Sequence, residues 1–217
     1  MPIHLKPWSV HQPSVTRQLQ CAKQCLRVYY HAEDMLVSSH VDEDGRYHIV
    51  ALEGTDTVSN WFHNIMICRR KGVHVGFRKY ATYFKKNHDL RSTMRALPPR
   101  EPVYFTGHSL GASAGTLLAY DFSNDYRVGT VLFGSPKVGD ASFNTMYRRK
   151  RIPTRSYRTK NDLVSRVPYD WLGYESLDRI VIDPDIPKHE LLKNHSIHTY
   201  IQELTSLAYH DIKPSSK

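Results

Sequence analysis

Cysteine is scarce in this chain, three among 217 residues, and the number is odd. Such a count does not read as a disulfide framework, and a chain of this length can bury a core without one. Cys21 and Cys25 stand four apart on a helical pattern, but no second ligand pair at a suitable spacing accompanies them. They are therefore expected as small apolar residues flanking a buried stripe, with no metal. Long apolar runs are missing too, so no bilayer span is expected. The segment Met1-Pro2-Ile3-His4-Leu5-Lys6-Pro7 lacks the apolar centre of a secretory signal. Together these expectations place the chain in the reducing cytoplasm, with peripheral contact at a membrane surface. Repeats, low-complexity tracts and linker-like stretches are absent, so residues 1–217 are expected to form a single domain. Acidic residues are outnumbered, 21 against 30 Lys and Arg, leaving a formal net charge of +9. That imbalance invites an anionic partner, either nucleic acid or an anionic lipid surface.

What the chain does contain centres on Val103-Tyr104-Phe105-Thr106-Gly107-His108-Ser109-Leu110-Gly111-Ala112. A β-branched and aromatic run meets G-x-S-x-G and turns at once into an Ala- and Leu-rich segment reaching Tyr120, which reads as strand, sharp turn and helix. A serine on such a turn needs neighbours without Cβ atoms, for backbone angle and for close helix–strand packing. Ser109 is thus placed at the tip of a nucleophile elbow. Upstream, Ser14 caps a helix whose stripe is Val15, Leu19, Ala22, Leu26 and Tyr29. Asp42-Glu43-Asp44-Gly45 separates two strands, the second being Tyr47 to Leu52. Val58, Trp61, Phe62, Ile65 and Met66 share one helical face, which is either core or a mobile lid over an apolar site. A helix carrying Tyr80 and Phe84 precedes Pro98-Pro99, and Val128 to Phe133 reads as a strand buried on both faces. Helix Ala141 to Lys150 and a strand from about Thr154 to Thr159 follow. Strands alternating with helices predict an α/β domain around a mostly parallel sheet.

A serine hydroxyl does not attack an ester unaided; it needs a histidine base and a carboxylate that orients the base. In this architecture the order along the chain is serine, acid, histidine. Asp162 follows directly on a strand and is the preferred acid, ahead of Asp170, Asp178, Asp183 and Asp185. His195 is the preferred base, read as lying on a loop just before a last helix with the stripe Ile197, Ile201, Leu204 and Ala208. His198 and His189 remain as alternatives among thirteen histidines.

The ordered blocks Val50-Ala51-Leu52-Glu53-Gly54-Thr55, His74-Val75-Gly76-Phe77, Gly107-His108-Ser109-Leu110-Gly111 and Phe133-Gly134-Ser135-Pro136-Lys137-Val138-Gly139, then Asp162 with Val164 and Pro168, and His195 with Tyr200, resemble the class 3 lipases. The resemblance covers about residues 15–208. It implies an α/β-hydrolase fold, no metal or organic cofactor, and hydrolysis of lipid carboxylic esters through Ser109, Asp162 and His195. It also implies an oxyanion hole involving Thr55 beside the N–H of Leu110. By the same resemblance Thr57 to Met66 becomes a lid, and Trp61, Phe62, Ile65 and His108 become the candidate lid and substrate-contacting residues. Two departures stand out: Glu53 where the family commonly has arginine, and Ala112-Ser113-Ala114 where a glycine usually follows the elbow. The alternative reading is a weakly active or inactive lipase fold that binds anionic membrane or nucleic acid through Arg69-Arg70-Lys71 and Arg148-Arg149-Lys150-Arg151. No recognition-helix or zinc-finger pattern supports nucleic acid. Neither the lipid class nor the oligomeric state is readable from the sequence.

Overall fold

A computed structural model describes residues 12–31, 33–54, 68–177 and 179–212. Helix α1 (Val15–His31) leads to strands β1 (Met35–Asp42) and β2 (Gly45–Leu52), which pair antiparallel with Asp42 opposite Gly45. The Asp42 carboxylate accepts from the N–H of Asp44 at 3.0 Å, a local bond that closes the turn. Arg69–Arg70 (β3) and Val73–His74 (β4) form a small antiparallel hairpin, so the basic turn seen in the sequence is a turn between two short strands. Helices α2 (Val75–Asn87) and α3 (Leu90–Ala96) bring the chain to β5 (Val103–His108). Then come α4 (Leu110–Phe122), β6 (Val128–Phe133), α5 (Ala141–Arg149), β7 (Thr154–Thr159) and β8 (Ile180–Ile182). The chain finishes with the one-turn α6 (Leu191–His195) and α7 (Ile197–Ile212).

The main sheet runs in the order β1-β2-β5-β6-β7-β8, parallel except for the β1–β2 pair. The alternation of side chains along each strand divides the core in two. Val50, Leu52, Val103, Phe105 and Val128 join α2, α3, α4 and α5 on one face. Ile49, Ala51, Tyr104, Val131 and Phe133 join α1 and α7 on the other. Helices therefore cover both faces, which is why β2, β5 and β6 carry almost unbroken apolar runs. Each wholly buried Leu or Phe contributes roughly 2 kcal/mol relative to exposure. The expected basic runs lie at the surface: Arg69, Arg70 and Lys71, and Arg148, Arg149 and Arg151, are exposed.

Crossovers between parallel strands put the carboxyl ends of β5, β6 and β7 on one edge of the sheet. In open parallel sheets that edge is where ligands bind. No described helix is long and apolar enough to cross a membrane.

Candidate active site

Ser109 sits between the end of β5 and the start of α4, with φ 57° and ψ −123°. An L-residue enters this region at a cost of about 1–3 kcal/mol, and here the surroundings hold it there. Its N–H donates to the Phe133 carbonyl at 3.0 Å, tying the elbow to the end of β6. The two flanking glycines serve space alone. A Cβ on Gly107 would stand 2.3 Å from the Gly111 carbonyl carbon, and one on Gly111 would stand 2.3 Å from the Leu52 carbonyl oxygen. Neither glycine has positive φ, so the unusual angle expected of the glycines belongs to the serine itself. Ala112 and Ala114 are wholly buried in the next turn, where the departure from the family pattern is absorbed by packing.

Asp162 lies in the turn after β7 and is wholly buried. A buried carboxylate is tolerated only when its lone pairs are met. Its Oδ1 accepts from the N–H of Val164 at 2.9 Å and of Ser165 at 3.4 Å. Its Oδ2 accepts from the Tyr200 hydroxyl at 2.9 Å and faces His195 Nδ1 at 2.9 Å. Against a carboxylate Nδ1 is the donor, which leaves Nε2 as a lone-pair acceptor. His195 closes α6 instead of lying on a loop. That turn is fixed from within and without. Asn194 Nδ2 donates to the carbonyls of Pro187 and Glu190 at 3.0 Å each, and Thr159 Oγ1 donates to the Asn194 carbonyl at 2.7 Å.

The Oγ of Ser109 and the Nε2 of His195 are both buried, and neither has a hydrogen-bond partner among the described residues. Those are the two atoms a nucleophile–base pair must keep available. His195 stands near the elbow, its ring centroid 4.4 Å from that of His108. Gly134, at the end of β6, has φ +56° and makes room for the pair. A Cβ there would lie 2.8 Å from His195 Cε1 and 2.9 Å from Asp162 Oδ2.

His108 was expected on the substrate side, but both its ring nitrogens face protein. Nδ1 lies 3.1 Å from the Tyr29 hydroxyl, and Nε2 donates to the His195 carbonyl. Burial first, and then the neighbouring His195, push its pKa down to about 3, so it stays neutral beneath the base. Leu110 begins α4, so its N–H has no carbonyl one turn earlier within the helix. Thr55, Trp61, Phe62 and Ile65, with the whole segment Thr57 to Met66, lie outside the described residues.

The alternatives separate by position. His189 and His198 are exposed, and His198 packs its ring edge against Tyr30. Asp170 pairs with Lys137, Asp183 pairs with Lys160, Asp185 is exposed, and Asp178 lies outside the described residues. Sequence reasoning gave no role to Tyr29, Thr159 or Ser165. Tyr29 and Thr159 bond to segments far away in the chain, Ser165 bonds to Asp162 three residues before it, and only Tyr200 carried a signal, through the family pattern.

Two curated relatives are plant enzymes of Arabidopsis thaliana. Phospholipase A1-IIdelta is 36% identical over 88 residues, covering 37% of this chain and 21% of that protein. The chloroplastic phospholipase A(1) DAD1 is 26% identical over 148 residues, covering 55% of this chain and 33% of that protein. The aligned region thus spans about a fifth to a third of these relatives. Among solved structures, the native Rhizomucor miehei lipase–propeptide complex superposes with a TM-score of 0.61 at 19% identity, covering 80% of this chain and 68% of that chain. This likeness establishes a shared α/β-hydrolase fold. Residues 49–171 match the family model described as Lipase (class 3). The elbow, the parallel sheet and this match agree: the chain belongs to the class 3 lipase family.

Proposed function

We propose that this chain hydrolyses carboxylic esters of lipids through an acyl-enzyme on Ser109. The observation that carries this reading is the buried Asp162–His195 hydrogen bond, with Nε2 and the Ser109 Oγ left without partners among the described residues. His195 Nε2 takes the hydroxyl proton as Ser109 Oγ attacks the ester carbonyl. Asp162 holds the imidazole in the required tautomer and stabilises its charged form, and the alcohol leaves with the proton. Water then attacks the acyl-serine by the same route, releasing the fatty acid and restoring the hydroxyl. The Ser–His hydrogen bond forms as substrate binds, since such contacts are commonly loose in the free enzyme. The N–H of Leu110 meets the developing oxyanion, and Thr55 supplies the second donor, each contributing about 3 kcal/mol.

In this reading Trp61, Phe62 and Ile65 cover an apolar acyl site, and residues 15–208 form the core of one domain. Two apolar clusters on opposite faces of one sheet support that unity. The substrate is an ester of a phospholipid, in keeping with the names of the plant relatives, or of an acylglycerol. The cytoplasmic placement belongs to the same reading; subcellular fractionation tests it, and recovery in a chloroplast fraction or the medium would overturn it. Ser109→Ala and His195→Ala should each lower hydrolysis of a soluble p-nitrophenyl ester by about four orders of magnitude or more, with the fold intact by circular dichroism. His198→Ala should retain near wild-type turnover. Undiminished activity in Ser109→Ala would remove the assignment, and fatty-acid release from a panel of purified lipids would identify the lipid class.

A further inference from the structure

Away from Ser109, four cations converge on a cleft of about 650 Å³ at the β7–β8 end of the sheet. They are Lys137 from the loop after β6, Arg158 on β7, Arg166 in the turn after Asp162, and Arg179 just before β8. Asp170 is the one carboxylate among the described lining residues. Gathering like charges is unfavourable unless something balances them, and this lining does so only in part. Lys137, nearly buried, reaches Asp170 at 2.7 Å. Arg179 spends its guanidinium on the carbonyl oxygens of Ser165 and Ser135, and Arg166 donates to the Lys160 carbonyl at 2.9 Å. These acceptors are neutral. The Nε of Arg158 is buried without a partner among the described residues. Burial, then the charge of Arg158, pull the Arg179 pKa down to about 10, so the field of the cluster is felt within it.

The rim shows what kind of anion fits. Tyr169 lines the cleft, is 53% exposed, and stacks at 6.2 Å on Trp171, which is 78% exposed. Val181, opposite Arg158 in the β7–β8 register, is another exposed apolar lining residue. Amphipathic rings beside clustered cations suit the headgroup layer of a membrane, where aromatic rings sit at the interface and Lys and Arg meet anionic lipid. A simple inorganic anion would gain nothing from this aromatic rim.

We propose that this cleft binds the phosphate monoester of an acidic lipid headgroup, with Tyr169 and Trp171 seated at the membrane interface. It is separate from the reaction site, sharing none of Ser109, Asp162 and His195. Arg179 links the two indirectly, through the Ser165 carbonyl of the turn whose N–H groups hold Asp162.

The test is co-sedimentation with phosphatidylcholine vesicles made with or without phosphatidic acid, in a Ser109→Ala background so that no lipid is consumed. The parent should bind vesicles containing phosphatidic acid in preference to pure phosphatidylcholine. Arg158→Gln with Arg166→Gln should weaken that binding by about tenfold or more. Arg149→Gln with Arg151→Gln removes the same charge from exposed positions outside the cleft and should weaken it less than about threefold. Both double variants should unfold at the parent's temperature. If the first does not, Arg166→Gln alone, at an exposed position, replaces it with an expected loss of about threefold or more. Trp171→Ala should also weaken vesicle binding. Equal losses in the two double variants would mean diffuse surface attraction and overturn the proposal, as would no preference for phosphatidic acid. Stabilisation by inorganic phosphate that requires Arg158 and Arg166, without vesicle binding, would reassign the cleft to a soluble anion. Cleft-dependent binding of duplex DNA in place of vesicles would likewise overturn it.

Discussion

Gly134 shows how little slack the candidate site has at the scale of one residue. Its φ of +56° is readily adopted only by glycine, and a Cβ would press on both His195 and Asp162. Gly134→Ala should therefore displace the imidazole and lower kcat/KM for a soluble ester by about a hundredfold. A rate within twofold of wild type would show that the His–Asp pair tolerates the shift. Ser109 illustrates the complementary case, in which the strained angle is carried by the reactive residue. Gly107 and Gly111 keep the space that lets α4 start directly behind it. The motif announced those glycines, whereas the conflict that a side chain at position 134 would create depends on residues 28 and 61 positions further along.

Among the elements, α1 departs most from its sequence pattern. The stripe read from apolar spacing is Val15, Leu19, Ala22, Leu26 and Tyr29, but the buried face carries Arg17, Gln18, Cys21, Ala22, Gln24, Cys25 and Val28. The helix packs on the sheet beside α7, so its polar residues find partners that no local pattern reveals. Arg17 grips Asp42 at 2.6 Å and lies over the ring of Tyr47, and Gln18 accepts from the Tyr157 hydroxyl. Cys21 and Cys25 stand at the centre of the packed face instead of flanking it. Burial pushes the Cys25 thiol up to about 12 and raises Cys21 as well, while Cys68 is exposed. Ellman titration of the native protein at pH 8 should therefore find one fast thiol, with the other two reacting only as the chain unfolds. Three fast thiols would contradict the packing of α1. The short β3–β4 hairpin, β8 and α6 were not foreseen for a related reason. Two, three and five residues are too few for a period to show, and neighbours stabilise them.

At the scale of the molecule, His108 joins α1, β5 and α6 through Tyr29 and the His195 carbonyl. Its pKa falls from the ordinary 6.5 to about 3, so the unfolded chain binds a proton that the folded chain refuses across that interval. The stability tied to neutral His108 is complete above about pH 6.5 and drains away as pH falls toward 3, with a limiting slope of about 1.4 kcal/mol per pH unit. The difference in unfolding free energy between wild type and His108→Gln should accordingly narrow as the solution is acidified from pH 7 to pH 5. A difference independent of pH would mean that His108 titrates no differently in the two states. The formal charge of +9 acts at this scale too. The exposed basic runs contribute attraction without shape, whereas the cleft around Arg158 concentrates charge beside an aromatic rim.

The sequence by itself determined the alternation of strands and helices, the limits of β6 and β7, the elbow and the order serine, acid, histidine. Each is written in local periodicity or in a motif whose glycines sit within a few residues of Ser109. The tertiary structure alone decided that Asp162 meets His195 in preference to any other acid and histidine. It also decided that His108 supports the base from beneath, and that four cations from separate loops and strands share one cleft. Those are contacts between residues far apart in the chain, brought together by crossovers that deliver the strand ends to one edge, and no spacing along the chain records them.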